Sequence, residues 1–241
     1  MQPKTINPRL TCYNCMSPKS TCICSHINSV QTQTRFIILM HPKEYKKEKN
    51  GTGHMTKLQL QNSEIIVGVD FTTHKRVNEI LTTQENCFLL YPGKASFNLS
   101  VRSTAEIKIG LGKSSHIFIL DGTWPCARKM LKLSKNLQAL KRVSFDNTIK
   151  SEFIIKQQPE PLCLSTIESV YTVLNLLKEG ELEDCDTSNF LLPFQKMIAY
   201  QLDYMRNPNH KNYSSQVNFE LAEKTMYKKN TERNTIFEQE Y

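Results

Sequence analysis

"HIFILDGTWPCARKML", residues 116–131, decides how the chain folds. Four apolar residues, Ile117 to Leu120, halt at Asp121. Gly122, Thr123 and the chain's single tryptophan, Trp124, follow, and then an amphipathic pattern begins. A short, continuous apolar run is the signature of a strand buried on both faces, as strands of parallel sheets are. Pro125 stands where proline is favoured, in the first turn of a helix. In "CARKMLKLSKNLQAL", residues 126–140, Ala127, Met130, Leu133 or Ser134, Leu137 and Leu140 keep the helical period, while Arg128, Lys132 and Lys135 take another face. The stretch reads as strand, loop and helix, with Asp121 to Trp124 in the loop.

The same alternation runs outward in both directions. "RFIILMH" (35–41), "EIIVGVDF" (64–71) and "CFLLY" (87–91) are further apolar runs, and "HMTKLQLQ" (54–61) and "HKRVNEILTTQ" (74–84) between them have helical spacing. The fold class is therefore α/β, a mostly parallel sheet flanked by helices. "STIESVYTVLNLLKEG" (165–180) predicts a helix on Ile167, Val170, Tyr171, Leu174 and Leu177 that stops at Gly180. "SNFLLPFQKMIAYQLDYMRN" (188–207) predicts a last amphipathic helix. "HPKEYKKEKNGT" (41–52) reads as a charged loop gathering His41, Glu44, Lys49, Asn50 and Thr52, and "GLGK" (110–113) as a turn, since it lacks the full phosphate-loop pattern. Residues 1–30, 31–207 and 208–241 are expected to form a cysteine knuckle, the main domain and a C-terminal extension.

The net charge of +8 is unevenly placed: residues 1–60 carry nine Lys or Arg against two acids, and residues 126–142 carry six against none. Such clustering suits a polyanionic partner, because neutralising phosphates is the main sequence-independent source of nucleic-acid affinity. A merely solvated basic surface is the plainer alternative. No apolar run approaches the roughly 20 residues needed to cross a bilayer, and "MQPKTINPRL" lacks the apolar core of a signal peptide, so a cytoplasmic location is expected.

Four of the eight cysteines, Cys12, Cys15, Cys22 and Cys24, crowd into "CYNCMSPKSTCIC". In a protein without a secretory context this spacing suits four thiolates around one tetrahedral Zn²⁺ better than a disulfide framework; reduced surface thiols and a redox pair are the alternatives. Such a closed site is structural.

Ligands of open parallel sheets collect outside the carboxyl ends of the strands. Asp121, Thr123 and Trp124 would sit there, offering a carboxylate, a hydroxyl and a large ring able to stack on a nucleobase. The plain alternatives are that Asp121 closes a turn, Thr123 caps the helix and Trp124 fills the core. Ser165 and Glu168 have the spacing of a capping box, which explains both without further function.

Taken in order, "CYNCMSPKSTCIC", "ILMHPKEYKKEKNGT", "FLLYPG", "FILDGTWPCARKML" and "LSTIES" resemble the motifs of the DTW-domain family, the tRNA-uridine and rRNA aminocarboxypropyltransferases. The last motif runs into Ser169 where the family usually has alanine. The resemblance implies a fold similar to the knotted methyltransferases of the SPOUT class, with a trefoil knot. It implies S-adenosylmethionine as donor, transfer of its 3-amino-3-carboxypropyl arm to N3 of a tRNA uridine, and 5'-methylthioadenosine as by-product. By the same resemblance Asp121, Thr123 and Trp124 are catalytic. Tyr91, Pro92, Leu120, Asp121, Ser165, Thr166 and Glu168 would line the donor pocket, and Arg128, Lys132, Lys135, Lys49 and Asn50 would contact RNA. Asp121 would be either a general base on N3–H or an anchor for the donor's ammonium group. Transfer to an rRNA nucleotide, or RNA binding by a non-catalytic zinc knuckle, are the alternative functions.

Overall fold

A computed structural model describes residues 10–47, 51–155 and 162–206. Six strands form one sheet: β1 (Arg35–Met40), β2 (Ser63–Val67), β3 (Cys87–Leu90), β4 (Phe97–Asn98), β5 (His116–Asp121) and β6 (Lys141–Ser144). Their order is β2-β1-β5-β3-β6-β4, and every pairing is parallel. The two longest strands, β1 and β5, lie side by side, and Met40 is in register with Asp121. Their apolar runs are continuous because both faces are covered, which removes any reason for polar residues to alternate.

Successive side chains belong to different cores. Phe36, Phe88, Ile117 and Ile119 pack with Met55, Ile107, Val170, Leu174 and Phe194. Ile37, Leu39, Leu89 and Phe118 pack with Val77, Ile80, Met130 and Leu137. The first core thus takes helices α2 (Thr52–Gln59), α4 (Thr104–Leu111), α7 (Thr166–Glu179) and α8 (Leu192–Arg206). The second takes α3 (Lys75–Thr83), α5 (Trp124–Leu133) and α6 (Lys135–Gln138). Cys15, Ile23 and Val30 join the first core, so the cysteine-rich segment rests on the main body.

Several local expectations need correction. The charged segment after His41 is not a loop at its start: Pro42–Lys47 form α1, with proline in the first turn. The helix expected over 126–140 breaks at Ser134, whose buried hydroxyl accepts from Phe71 N (2.9 Å) and whose ψ of 87° is not helical. Two strands and one helix that the pattern did not predict, β4, β6 and α4, complete the sheet's far edge and its cover. "GLGK" closes α4, with Gly112 at φ 70°, a left-handed backbone that glycine adopts without strain. The proposed extension, 208–241, lies outside the described residues.

Candidate functional site

Asp121 is the last residue of β5 rather than the first of a loop, and its backbone carbonyl accepts from His41 N (2.8 Å) just beyond β1. Its side chain is buried, 7% exposed, on the face covered by α2 and α7. Oδ1 accepts from Thr166 Oγ1 at 2.5 Å, at the first residue of α7. Oδ2 lies against the first turn of α2: a Cβ added to Gly53 would stand 2.3 Å from it. Two helix N-termini therefore converge on one carboxylate, and both carry partial positive charge.

Glycine at 53 lets that approach occur. Gly122, next to Asp121, has the Cβ atoms of His41 and Cys126 each 3.3 Å from where its own would be, so His41 is drawn over the strand end. His41 Nδ1 accepts from Lys43 N (3.1 Å), which leaves the ring's proton on Nε2. Burial, with Lys43 and Lys129 nearby, holds this imidazole below the usual histidine range, so it is neutral at pH 7.

Glu168 has its carboxylate oxygens engaged. Its carboxylate accepts from Ser165 N (2.8 Å), Ser165 Oγ (2.5 Å), Ser151 Oγ (2.8 Å) and Glu152 N (2.7 Å). The capping box expected from "STIES" is present, and it also pins the 151–152 backbone. Ser165 and Glu168 thus position Thr166.

The aromatic half lies towards the other core. Trp124 opens α5 and is half-buried; its ring meets Tyr91, beyond β3, edge to face at 6.5 Å. Tyr91 packs with Leu120 against the second core, and Arg142 of β6 lies over the Tyr91 ring at 5.5 Å. Trp124 is therefore not a core filler. Thr123 is the N-cap residue of α5 by backbone, its carbonyl accepting from Ala127 N (2.8 Å), but its side chain makes no capping bond and is exposed. Pro92 is exposed after Tyr91. Asp121 joins Thr166 and Trp124 joins Tyr91, but the two pairs occupy opposite faces of the sheet at the carboxyl ends of its strands.

Arg128, Lys132 and Lys135 are exposed along α5 and α6, as the periodicity predicts. Lys49 and Asn50 lie outside the described residues. Gly53 and Arg142 were not singled out from the sequence, and His41 only as part of a charged loop. A glycine in the opening turn of a helix was the available signal for Gly53.

The sulfurs of Cys12, Cys15, Cys22 and Cys24 all lie within 4.8 Å of one another. Cys12 to Cys24 and Cys15 to Cys22 are each 3.6 Å apart. Tetrahedral thiolates about 2.3 Å from a zinc ion would be about 3.8 Å apart, so the cluster can hold a metal ion. Burial raises the Cys15 thiol, but hydrogen bonds from Ser17 and Ile23 outweigh it and bring it down to about 6. Cys24 is pushed up to about 12 by burial and the neighbouring cysteines. Four sulfurs so close cannot all ionise without a compensating cation.

The sequence model of the DTW domain matches residues 9–202. The "tRNA-uridine aminocarboxypropyltransferase 2" of Drosophila melanogaster is 30% identical over 207 residues, covering 82% of this chain and 77% of the relative. Proteins of the same name from Mus musculus and Macaca fascicularis are 25% and 26% identical, over 81% of this chain. The chain spans 65% of the length of those two relatives. No solved structure matches.

Proposed function

The chain belongs to the DTW domain family, and from that membership and the geometry of the strand ends we propose that it is a tRNA-uridine aminocarboxypropyltransferase. It moves the 3-amino-3-carboxypropyl arm of S-adenosylmethionine to N3 of a uridine in tRNA. The bond between the sulfonium sulfur and the arm's Cγ breaks, its electron pair stays on sulfur as 5'-methylthioadenosine, N3–Cγ forms, and the N3 proton leaves to water. Because the sulfonium is already an excellent leaving group, the protein's task is to decide which carbon meets N3, which is a matter of orientation.

The observation that carries this reading is Asp121: a buried carboxylate at the end of a central strand, bonded to Thr166 and pressed against Gly53. One oxygen accepts from Thr166 and the other lies against the first turn of α2, and a carboxylate fixed in this way suits an anchor for the donor's ammonium group better than a general base. Thr166 aims the carboxylate, and Ser165 and Glu168 hold Thr166 in place. Trp124 and Tyr91, with Pro92 and Leu120 beside them, supply the aromatic surface for a base taken out of its stack, as attack through N3 requires of a base whose pairing edge is otherwise occupied. Arg128, Lys132 and Lys135, exposed along α5 and α6, would meet backbone phosphates, and Lys49 and Asn50, which lie outside the described residues, are assigned to the same contact.

A structural Zn²⁺ on Cys12, Cys15, Cys22 and Cys24 belongs to the same proposal; it would cross-link the segment 1–30 and supply no chemistry to the transfer. So do a SPOUT-type arrangement with a trefoil knot, a transferase domain over 31–207, an extension over 208–241, and a cytoplasmic location. No described helix is long and apolar enough to cross a membrane.

The test is nucleoside mass spectrometry of tRNA from cells with and without the protein, with methylthioadenosine measured in vitro. Loss of aminocarboxypropyluridine on deletion, restored by wild type and not by Asp121→Asn, is expected; an unchanged tRNA peak would overturn the reading. In the purified enzyme Asp121→Asn is expected to raise the KM for the donor far more than it lowers kcat.

A further inference from the structure

Five arginines have side chains that the structure describes, and their charges are spent differently. Arg35 and Arg76 both pair with Glu64, at 2.7 and 2.9 Å. Arg102 stacks on Phe97 at 5.2 Å and is paired with Glu106 at 2.9 Å. Arg128 is exposed on α5. Arg142 is half-buried, its guanidinium carbon 5.5 Å over the Tyr91 ring, yet no carboxylate among the described residues lies within ion-pairing distance of it.

Its position is set by the fold on three sides. Arg142 is in register with Leu89 of β3, and Tyr91 N donates to Val143 O (3.0 Å), so β3 and β6 stay paired up to the ring. Gly93 closes the third side, its missing Cβ only 3.1 Å from Arg142 Nη1. A guanidinium lying on a ring keeps its planar fork of N–H donors in one orientation, which suits two oxygens of one anion. Arg102 shows the same stack with its anion provided by the protein; at Arg142 that place is open.

We propose that Arg142, held by Tyr91 and Gly93, binds an oxyanion of the substrates beside Trp124. The inference rests on the transferase reading above and names a residue that reading does not use. Two sources offer the same chemistry: a phosphate flanking the target uridine, which leaves the amino-acid arm of S-adenosylmethionine to Asp121, and the α-carboxylate of that arm, which would draw its ammonium group away from Asp121.

The test uses the full chain and three variants, Arg142→Ala, Arg142→Lys and Gly93→Ala. Donor and tRNA KM values are measured, together with direct binding of S-adenosylmethionine by calorimetry and of tRNA by filter retention over a salt series. Arg142→Ala is expected to weaken one substrate by about 10- to 100-fold, the range of charge-assisted hydrogen bonds. If the source is the carboxylate, the donor constants move and those for tRNA do not. If it is the phosphate, tRNA weakens and its log–log salt slope drops by about 1. Lysine keeps the charge without the fork and restores only part of the loss, and Gly93→Ala, which pushes the guanidinium aside, gives a smaller defect on the same substrate. Donor and tRNA constants for Arg142→Ala within about twofold of wild type would overturn the proposal. A wild-type chain that binds both substrates without transferring the arm would instead overturn the function, and the binding constants would still decide Arg142.

Discussion

Gly53→Ala is the sharpest probe of the carboxylate half of the site. In an ordinary helix the change is stabilising by about 1 kcal/mol. Here the new methyl would stand 2.3 Å from Asp121 Oδ2, 2.8 Å from Asp121 Cγ and 2.8 Å from Met40 Cε, whereas ordinary contact begins at 3.4 Å. The carboxylate must therefore retreat by about 1 Å, and the 2.5 Å bond from Thr166 breaks or bends. Overpacking of this kind costs about 1–3 kcal/mol. Set against the helix gain, the net loss is about 0–2 kcal/mol, a fall in Tm of a few degrees for a chain of this size. The effect on transfer is larger, because a misplacement of about 1 Å can cost roughly 100-fold. The assay is transfer of labelled aminocarboxypropyl groups to tRNA alongside a thermal melt. Gly180→Ala is the control: its Cβ would lie 2.6 Å from Ile107 Cγ2, at the far end of α7, so it should lower stability comparably and leave kcat/KM per folded molecule intact. A folded Gly53→Ala enzyme with kcat/KM within about threefold of wild type would refute the assignment of Asp121 to the site.

Three further outcomes follow from the structure. Glu168→Ala removes the acceptor of four hydrogen bonds and one half of a capping box, and is expected to cost about 2–4 kcal/mol in urea unfolding. The purified chain should carry about one zinc per molecule by elemental analysis; Cys24→Ser or a strong chelator should remove it and lower Tm, whereas an equally stable, metal-free protein would remove zinc from the account. Burial keeps His116, His54 and His41 below the usual value of 6.5, with Arg35 adding to the effect at His116. The folded chain then binds fewer protons than the unfolded one as pH falls through 6.5, so stability is full above that pH and declines below it, by at most ~1.4 kcal/mol per pH unit for each histidine. Denaturant midpoints at pH 7.5, 6.5 and 5.5 check the sign, and a smaller decline in His116→Gln checks the residue.

The sheet was legible where burial on both faces left an unbroken apolar run, as in β1 and β5. It was illegible at its edge. In β6 only Val143 is fully buried, between Arg142 and Ser144, and β4 is two residues long, so neither has a period to detect. Helix α1 is hidden by its charges and α4 by the glycine in its last turn. The break at Ser134 is a tertiary event: a hydroxyl serves Phe71 N, and nothing in the local spacing announces it.

The site divides along the same line between local and distant causes. Asp121, Trp124 and the capping box of α7 are discontinuities within a few residues of sequence, and they stand out for that reason. Gly53 and Arg142 matter because of what the fold brings against them: a carboxylate from β5 in one case, a tyrosine ring after β3 in the other. Alternation along β5 then adds what no motif expresses. Leu120 packs toward the second core and Asp121 toward the first, so the acid and the indole that lie close in sequence work on opposite faces of the sheet at the strand ends. On the proposed reading the donor's ammonium group is held on the carboxylate side and the uridine that receives its arm lies on the aromatic, cationic side, so loss of the Asp121 carboxylate should weaken the donor and loss of the Trp124 ring should weaken tRNA.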